Sequence, residues 1–544
     1  MTPARGIAAL VQALALALLV AVAWVLLVAP PRWSALLLVG DDAGYYFAIA
    51  RNACLGYGPS FDRVHATNGF NPLFTLLLIG FDAALAPRSG LLDCYRAGLL
   101  ASLIALLAGL AGLKRLVARF LDPRVFDGDR RVLALAGVLA FYVFFIVPKK
   151  QVGMDAALVL GLGTFTLDRV LRGGLLAPGG RAALADGLLL GLLVLARVDN
   201  LPLLVAAFGL MGLMVLTRAA PARALLLRLF WVALVVAPYV LWSTRVFGTW
   251  MPVSARIKSS FPHVDPAASL AAIRHTSVNA VDLASFLIAY AASWIVLGIG
   301  LRRLAGPAPL ARLGALLREP RSVLLALLAL TLVMRFTYML GFSRVDVQGG
   351  YVMLAHVFNL LVFFEAIALV ARRAPARAPR LAAAAALLLI AGSFGLFAGK
   401  AAGMARALHG PGLDDEWTLG REIHDATGPQ DVLYGGAFGL TGFFADRAWI
   451  NGDGVANSYD YQRAFAGDRL AAWLKASGVT HVVWATADRD LPPGPVRLDV
   501  EGVLAGRINS IVVDPRAIVL EGRLARGVTR GRGGSRVYVA RWGR

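Results

Sequence analysis

"PLFTLLLIGFDAALA", residues 72–86, is the stretch on which the topology of this chain turns. It is apolar enough to enter a membrane, but its fifteen residues fall short of the roughly 20 that a spanning helix needs, and Asp82 interrupts it. Eleven other apolar runs read as candidate spans: Ala8 to Ala29, Ala97 to Ala118, Val132 to Val147, Met154 to Leu171, Ala183 to Ala196, Leu201 to Thr217, Ala224 to Trp242, Asp282 to Leu301, Val323 to Leu340, Tyr351 to Ala371 and Leu381 to Gly399. Five loops between them are rich in basic residues. They carry Lys114/Arg115/Arg119/Arg124/Arg130/Arg131, Arg169/Arg172/Arg181, Arg218/Arg223/Arg228, Arg302/Arg303/Arg312/Arg318/Arg321 and Arg372/Arg373/Arg377/Arg380. If residues 72–86 lie as a re-entrant or interfacial helix, all five clusters fall on the side of Arg5. If they cross, all five move outside, against the bias of Lys and Arg toward inner loops. The chain therefore reads as eleven spans, with its N-terminus inside and its C-terminus outside.

The composition agrees. The 544 residues are 58% hydrophobic and only 16% charged, against about 25% for a soluble domain. A net charge of +21 raises the question of nucleic acid, but the arginines sit in short loops between apolar runs, so topology explains the charge and no nucleic-acid partner is expected. Cys54 and Cys94 are too few for a disulfide framework or a cysteine-rich zinc site. The first run is longer than the roughly 7–15 residues of a signal-peptide core and reads as an uncleaved anchor.

This parity gathers the remaining polar stretches on the outer face: residues 30–96, 148–153, the junction Arg197 to Asn200, 243–281, 341–350 and the tail from Lys400. The predicted organisation is a polytopic α-helical membrane domain over 1–399, with a first outer loop at 30–96 and another at 243–281, followed by a small extracytoplasmic α/β domain over 400–544. In that tail, "DVLYGGAFGLTGFF" (431–444) and "THVVWAT" (480–486) predict strands. "YDYQRAFAGDRLAAWLKASG" (459–478) predicts one amphipathic helix closed by a glycine cap.

The residues suited to chemistry lie in these outer segments. Asp41 and Asp42 follow the first span, where neighbouring carboxylates are costly unless solvated, metal-bound or functional. One of them also suits the N-cap of a helix starting at Ala43. Asp155, in "KKQVGMDAAL", stands at the outer end of a span with the same two readings. Lys149 and Lys150 beside it break the inside bias, as either ligands of a lipid phosphate or lysines snorkelling to headgroups. Arg197 and Asp199 either form a mutual ion pair at a tight turn or line a polar cavity in direct contact with substrate. Arg256 and Lys258, in "GTWMPVSARIKSSFP", offer donors to a phosphate or simply a solvated loop. His65, Asn68 and Asn71 suit hydroxyl-rich ligands, although Asn-Gly and Asn-Pro also form turns. HExxH, P-loop, GxSxG and CxxC motifs are absent.

Residues 41–74, "DDAGYYFAIARNACLGYGPSFDRVHATNGFNPLF", resemble the first outer loop of a bacterial group within the GT-C superfamily of membrane glycosyltransferases, whose pattern runs DDAYYYFxIARNxxxGxGxTFDGxxxTNGFHPLW. The resemblance continues in "GMD" (153–155), "LARVDN" (195–200), "GTWMPVSARIKSS" (248–260) and "AFGLTGFFADRAWINGDGVANSYDY" (437–461). It implies transfer of a sugar from a polyprenyl-phosphate donor, the lipid-linked co-substrate, to a glycan, lipid or protein acceptor at the outer face of a bacterial cytoplasmic membrane, with inversion. By the same resemblance, Asp41 is the first choice of general base, Asp42 shares its place, and Asp155 orients acceptor or metal. Tyr45 and Tyr46 contact the sugar, and Arg256 and Lys258 hold the departing phosphate. A divalent cation on Asp41, Asp42 and Asp155 is compatible with such a site; no other cofactor is implied. Gly44, Asn71, Phe74 and Asp155 depart from the usual Tyr, His, Trp and Glu. Two rival readings are a multi-pass lipid or glycolipid transporter or flippase and a non-catalytic envelope-assembly protein.

Overall fold

The computed structural model describes residues 2–86, 90–149, 152–274, 280–344, 349–408, 415–436, 438–486, 495–501, 508–524 and 535–542. Each of the eleven apolar runs forms a helix: Pro3–Leu27, Leu91–Phe120, Gly128–Ala140, Ala156–Leu171, Gly180–Ala196, Leu201–Leu216, Ala222–Phe247, Ala280–Leu304, Pro320–Phe342, Met353–Arg373 and Ala378–Leu408. The third continues through the π-helical turn Phe141–Ile146 to Lys149. Among the described residues, nine segments are long and apolar enough to cross a membrane. Ala156–Leu171 and Gly180–Ala196 are the two shorter ones, with 16 and 17 residues. Small residues let Ala156–Leu171 pack closely on Leu91–Phe120: a Cβ added to Gly112 would lie 2.2 Å from Thr164 Oγ1.

Residues 72–86 become the helix Pro72–Leu85, 14 residues and therefore about 21 Å long. It is shorter than any of the eleven runs' helices except Gly128–Ala140, which continues to Lys149, and it packs beside Leu91–Phe120, with Asp82 buried. Several of the basic loops have a structural role beyond topology. Arg228 is fully buried and pairs with Asp186 at 2.8 Å, which also receives Arg169. Arg119 and Arg172 share Asp168, and Arg372 binds Asp122 and Glu365.

The tail holds a five-stranded sheet in the order β2-β1-β3-β7-β6, with β1 (Val432–Gly435), β2 (Ala448–Asn451), β3 (His481–Thr486), β6 (Ile518–Leu524) and β7 (Ser535–Arg541). The first three are mutually parallel and β7 is antiparallel to β3 and β6. A separate hairpin joins β4 (Val496–Glu501) and β5 (Ile508–Val513). Two tail expectations need correction. Only the first four residues after Asp431 form a strand, and Gly439–Ala445 is a helix whose seven residues are all buried. The expected single helix divides into Tyr459–Ala466 and Leu470–Ala476, because Asp468 between them adopts φ +54°. Gly478, with φ +75°, follows the second piece as a terminating glycine.

The tail docks through the buried helix Gly439–Ala445 onto the loop helix Ala43–Cys54. A Cβ on Gly44 would lie 2.1 Å from the Gly439 carbonyl carbon, and one on Gly439 would lie 2.2 Å from the Asp41 backbone oxygen. The departure from tyrosine at position 44 thus has a cause in this chain: two backbones meet there with no room for a side chain. Phe443 and Phe444 pack on Tyr95, while Arg51 and Arg63 both bind Asp446. Gly44→Ala is expected to cost about 3 kcal/mol or more by overpacking this contact, lowering the Tm and exposing the tail to limited proteolysis. Gly80→Ala, whose Cβ would meet no atom within 4 Å, is the control and should leave both unchanged or slightly improved.

Candidate active site

Three local features bring the first outer loop and the second acid together. Val39 bridges Val152 as an isolated parallel pair. Gly153 turns the chain at φ +79°, where an added Cβ would press on Ala43 and Phe47. Asn71 then donates through Nδ2 to Asp155 Oδ2 at 2.6 Å and to the Tyr46 hydroxyl at 2.8 Å. Asn71 stands where the related pattern has histidine and acts as a clamp between the two acidic segments.

Asp155 is fully buried and committed. Its other oxygen accepts from Arg197 Nη1 at 3.2 Å. Arg197 also grips Asp199 with two bonds of 3.0 and 3.1 Å, and Asp199 receives Arg335 from the helix Pro320–Phe342. Arg197 and Asp199 therefore pair with each other, and Arg197 also reaches Asp155. Arg335, in the middle of an apolar run, had no local signal beyond being an arginine inside a span.

The two leading aspartates separate in role. Neither side chain caps the helix that starts at Ala43. Asp41 instead caps the tail helix, accepting from Gly439 N at 3.0 Å and Leu440 N at 2.9 Å. Burial first, then the Asp42 charge, push Asp41 up to about 7, against the two backbone N–H groups that pull it down. Asp42 is only partly buried, and its carboxylate makes no hydrogen bond or ion pair among the described residues. Its charge acts on Asp41, Tyr45, Tyr46 and Asp453. Asn451 donates to the Tyr45 hydroxyl at 2.9 Å, and that hydroxyl donates to Asp453 at 3.4 Å. Phe74, in place of tryptophan, meets Tyr46 edge to face at 5.2 Å.

The remaining candidates divide. Lys258 is partly buried and its charge acts on both Asp155 and Asp453. Arg256 is exposed two residues earlier, near Tyr459. Asn68 is fully buried and holds their helix, Val253–Ile257, in place: it accepts from Val253 N at 2.9 Å and donates to Ser243 Oγ at 2.9 Å. His65 is spent on Asp62 at 2.8 Å and on the ring of Trp473, away from the carboxylates. Lys149 pairs with Asp282 and contacts His356 at 3.2 Å inside the bundle. Lys150 lies outside the described residues. Among the described residues, no group of three His, Cys, Asp or Glu side chains is placed to hold a metal ion. Asp41, whose two oxygens face backbone N–H groups, fits a metal cage poorly, so no step is routed through a cation. Asn451 and Asp453 were not singled out from sequence, although both lie in the stretch 437–461 that carries part of the resemblance.

No family model matches the chain, and no curated protein matches it. Solved structures with a similar arrangement include ArnT from Cupriavidus metallidurans in the apo state, at 15% identity and TM-score 0.48, covering 99% of this chain and 98% of that one. The same protein bound to undecaprenyl phosphate aligns at 15% identity and TM-score 0.47, over 92% and 97%. The apo oligosaccharyltransferase of Archaeoglobus fulgidus aligns at 14% identity and TM-score 0.43, over 86% of this chain and 69% of that one.

Because Asp41 titrates higher in the folded chain, from 3.8 to about 7, the folded state binds more protons across that interval and stability falls as pH rises through it. Asp41→Asn keeps a comparable helix cap without the charge. Thermal unfolding in detergent between pH 4.5 and 8 is expected to show a falling Tm for wild type and a flatter profile for the variant.

Proposed function

We propose that the chain is a membrane glycosyltransferase of the GT-C type, which moves a sugar from a polyprenyl-phosphate donor to a hydroxyl of a glycan, lipid or protein acceptor at the outer face of a bacterial cytoplasmic membrane. The observation that carries this reading is the contrast between two neighbouring acids. Asp155 is held on both oxygens by the side chains of Arg197 and Asn71, whereas Asp42 is partly accessible and has no hydrogen bond or ion pair among the described residues. A base needs an open lone pair, and an orienting residue needs fixed partners. The first-loop resemblance puts both Asp41 and Asp42 at the place of the base and favours Asp41; we prefer Asp42 because Asp41 is engaged as a helix cap.

In this reading the acceptor O–H gives its proton to Asp42 as its oxygen bonds to the anomeric carbon. The bond from that carbon to the phosphate oxygen breaks, and the lipid phosphate leaves with the electron pair. Lys258, with Arg256 beside it, stabilises the charge gathered on the phosphate. One direct displacement inverts the anomeric centre. A sugar phosphate brings its own leaving group, so no nucleotide site is required.

The transporter reading draws on one observation, the Lys149–Asp282–His356 group buried among the helices, since ionisable groups inside a membrane often line a transport path. The discriminating experiment is release of polyprenyl phosphate by purified protein given a panel of polyprenyl-phosphate sugars and acceptors. Wild type should release lipid phosphate, and Asp42→Asn should lose about 100-fold or more of the rate, while Lys258→Ala weakens use of the donor. Intact donor bound by wild type across the panel would favour transport instead. Retention at the anomeric centre would contradict the single displacement.

A further inference from the structure

The tail reaches the acidic centre through the loop that follows β2, and this loop is built to hold one carboxylate in place. Asn451 binds the Tyr45 hydroxyl at 2.9 Å, Val455 N donates to Asp453 Oδ1 at 2.9 Å, and the Tyr45 hydroxyl donates to Oδ2 at 3.4 Å. Gly454 takes φ +82°, and a Cβ on Gly69 of the first loop would lie 2.2 Å from the Val455 oxygen. Thr67 Oγ1 also donates to Asn457 O at 2.8 Å, closing the loop against the bundle. A carboxylate has about four acceptor positions, and Asp453 uses two of them among the described residues.

Its surroundings are poor for a purely structural acid. Burial, and to a lesser extent the like charge of Asp42, push Asp453 up to about 6, with Lys258 opposing. An anion kept beside another anion, with spare acceptor capacity and partial exposure, is characteristic of a site that awaits donors. Its direction is also informative. Asp155, Arg197 and Arg335 come from the helical bundle, where a lipid-borne donor arrives. Asp453 comes from the tail, and the Asp42 charge acts on it.

We infer that Asp453 accepts hydrogen bonds from hydroxyl groups of the incoming acceptor sugar and thereby selects which hydroxyl is presented to Asp42, making the tail part of the substrate site. This inference rests on the transferase reading above. It makes Asp453 a specificity residue for the acceptor, with no part in donor binding.

The test uses full-length protein, polyprenyl-phosphate hexoses and pentoses as donors, and methyl glycosides as acceptors. Asp453→Ala should raise the acceptor KM about tenfold or more and broaden the distribution of product linkages, with Asp453→Asn intermediate. The donor KM should stay within about twofold of wild type, and the slow release of polyprenyl phosphate to water without acceptor should fall less than acceptor-dependent turnover. An unchanged acceptor KM and linkage pattern, or a parallel fall in acceptor-dependent and acceptor-independent release, overturns the inference and leaves the transferase reading standing. Absence of any release by wild type overturns both.

Discussion

The structure depends on one contact, the seating of the first outer loop on the tail at Asp41. The Asp41 carboxylate supplies the cap that the buried helix Gly439–Ala445 lacks within its own segment, and the Gly44–Gly439 approach brings the two backbones into direct contact. Seven buried residues without side-chain capping of their own make an unstable isolated helix. Once docked, the same helix brings Asp446 to Arg51 and Arg63 and sets the sheet edge from which Asn451 and Asp453 reach Tyr45. The acidic centre is thus assembled across two regions that are far apart in sequence.

Within that centre, charge is distributed unevenly, and the distribution assigns the roles. Arg197 and Arg335 both bind Asp199, and Arg197 together with Asn71 holds both oxygens of Asp155. Buried ion pairs of this kind contribute little net stability, since desolvation offsets much of the attraction, but they fix geometry. The Asp42 charge acts on both Asp41 and Asp453, and Lys258 opposes it at Asp453. Clustered carboxylates with a lysine acting on them suit the proposed reaction, in which Asp42 removes a proton while Lys258 meets the departing phosphate.

Much of this was legible in the sequence, and the boundary follows the range of the interactions. The eleven helices depend on local hydropathy and length, and the short helix at Pro72 was marked by its own length and by Asp82. Asp155, Asn71, Arg197 and Asp199 were found because each sits at the polar edge of an apolar run. Partners supplied from a distance were not legible: the cap that Asp41 gives to Gly439, the Arg335–Asp199 pair, the capture of Lys149 by Asp282, and the approach of Asp453. The tail helix divided where Asp468 takes a left-handed conformation, which amphipathic periodicity does not encode. Asn68 and His65 show the same limit: both are polar turn residues of the first loop, and both are used for anchoring.

The most direct measurement is photolabelling of the purified protein by a polyprenyl phosphate carrying a diazirine beside its headgroup, with the labelled peptides identified by mass spectrometry. The account predicts saturable labelling within residues 40–71, 152–156 and 253–260, competed by unmodified polyprenyl phosphate, because the phosphate is delivered to the seam between bundle and tail. Labelling confined to the loops at 121–131, 172–182 and 302–320, or labelling that competitor does not reduce, would place the lipid away from Asp42 and contradict the account.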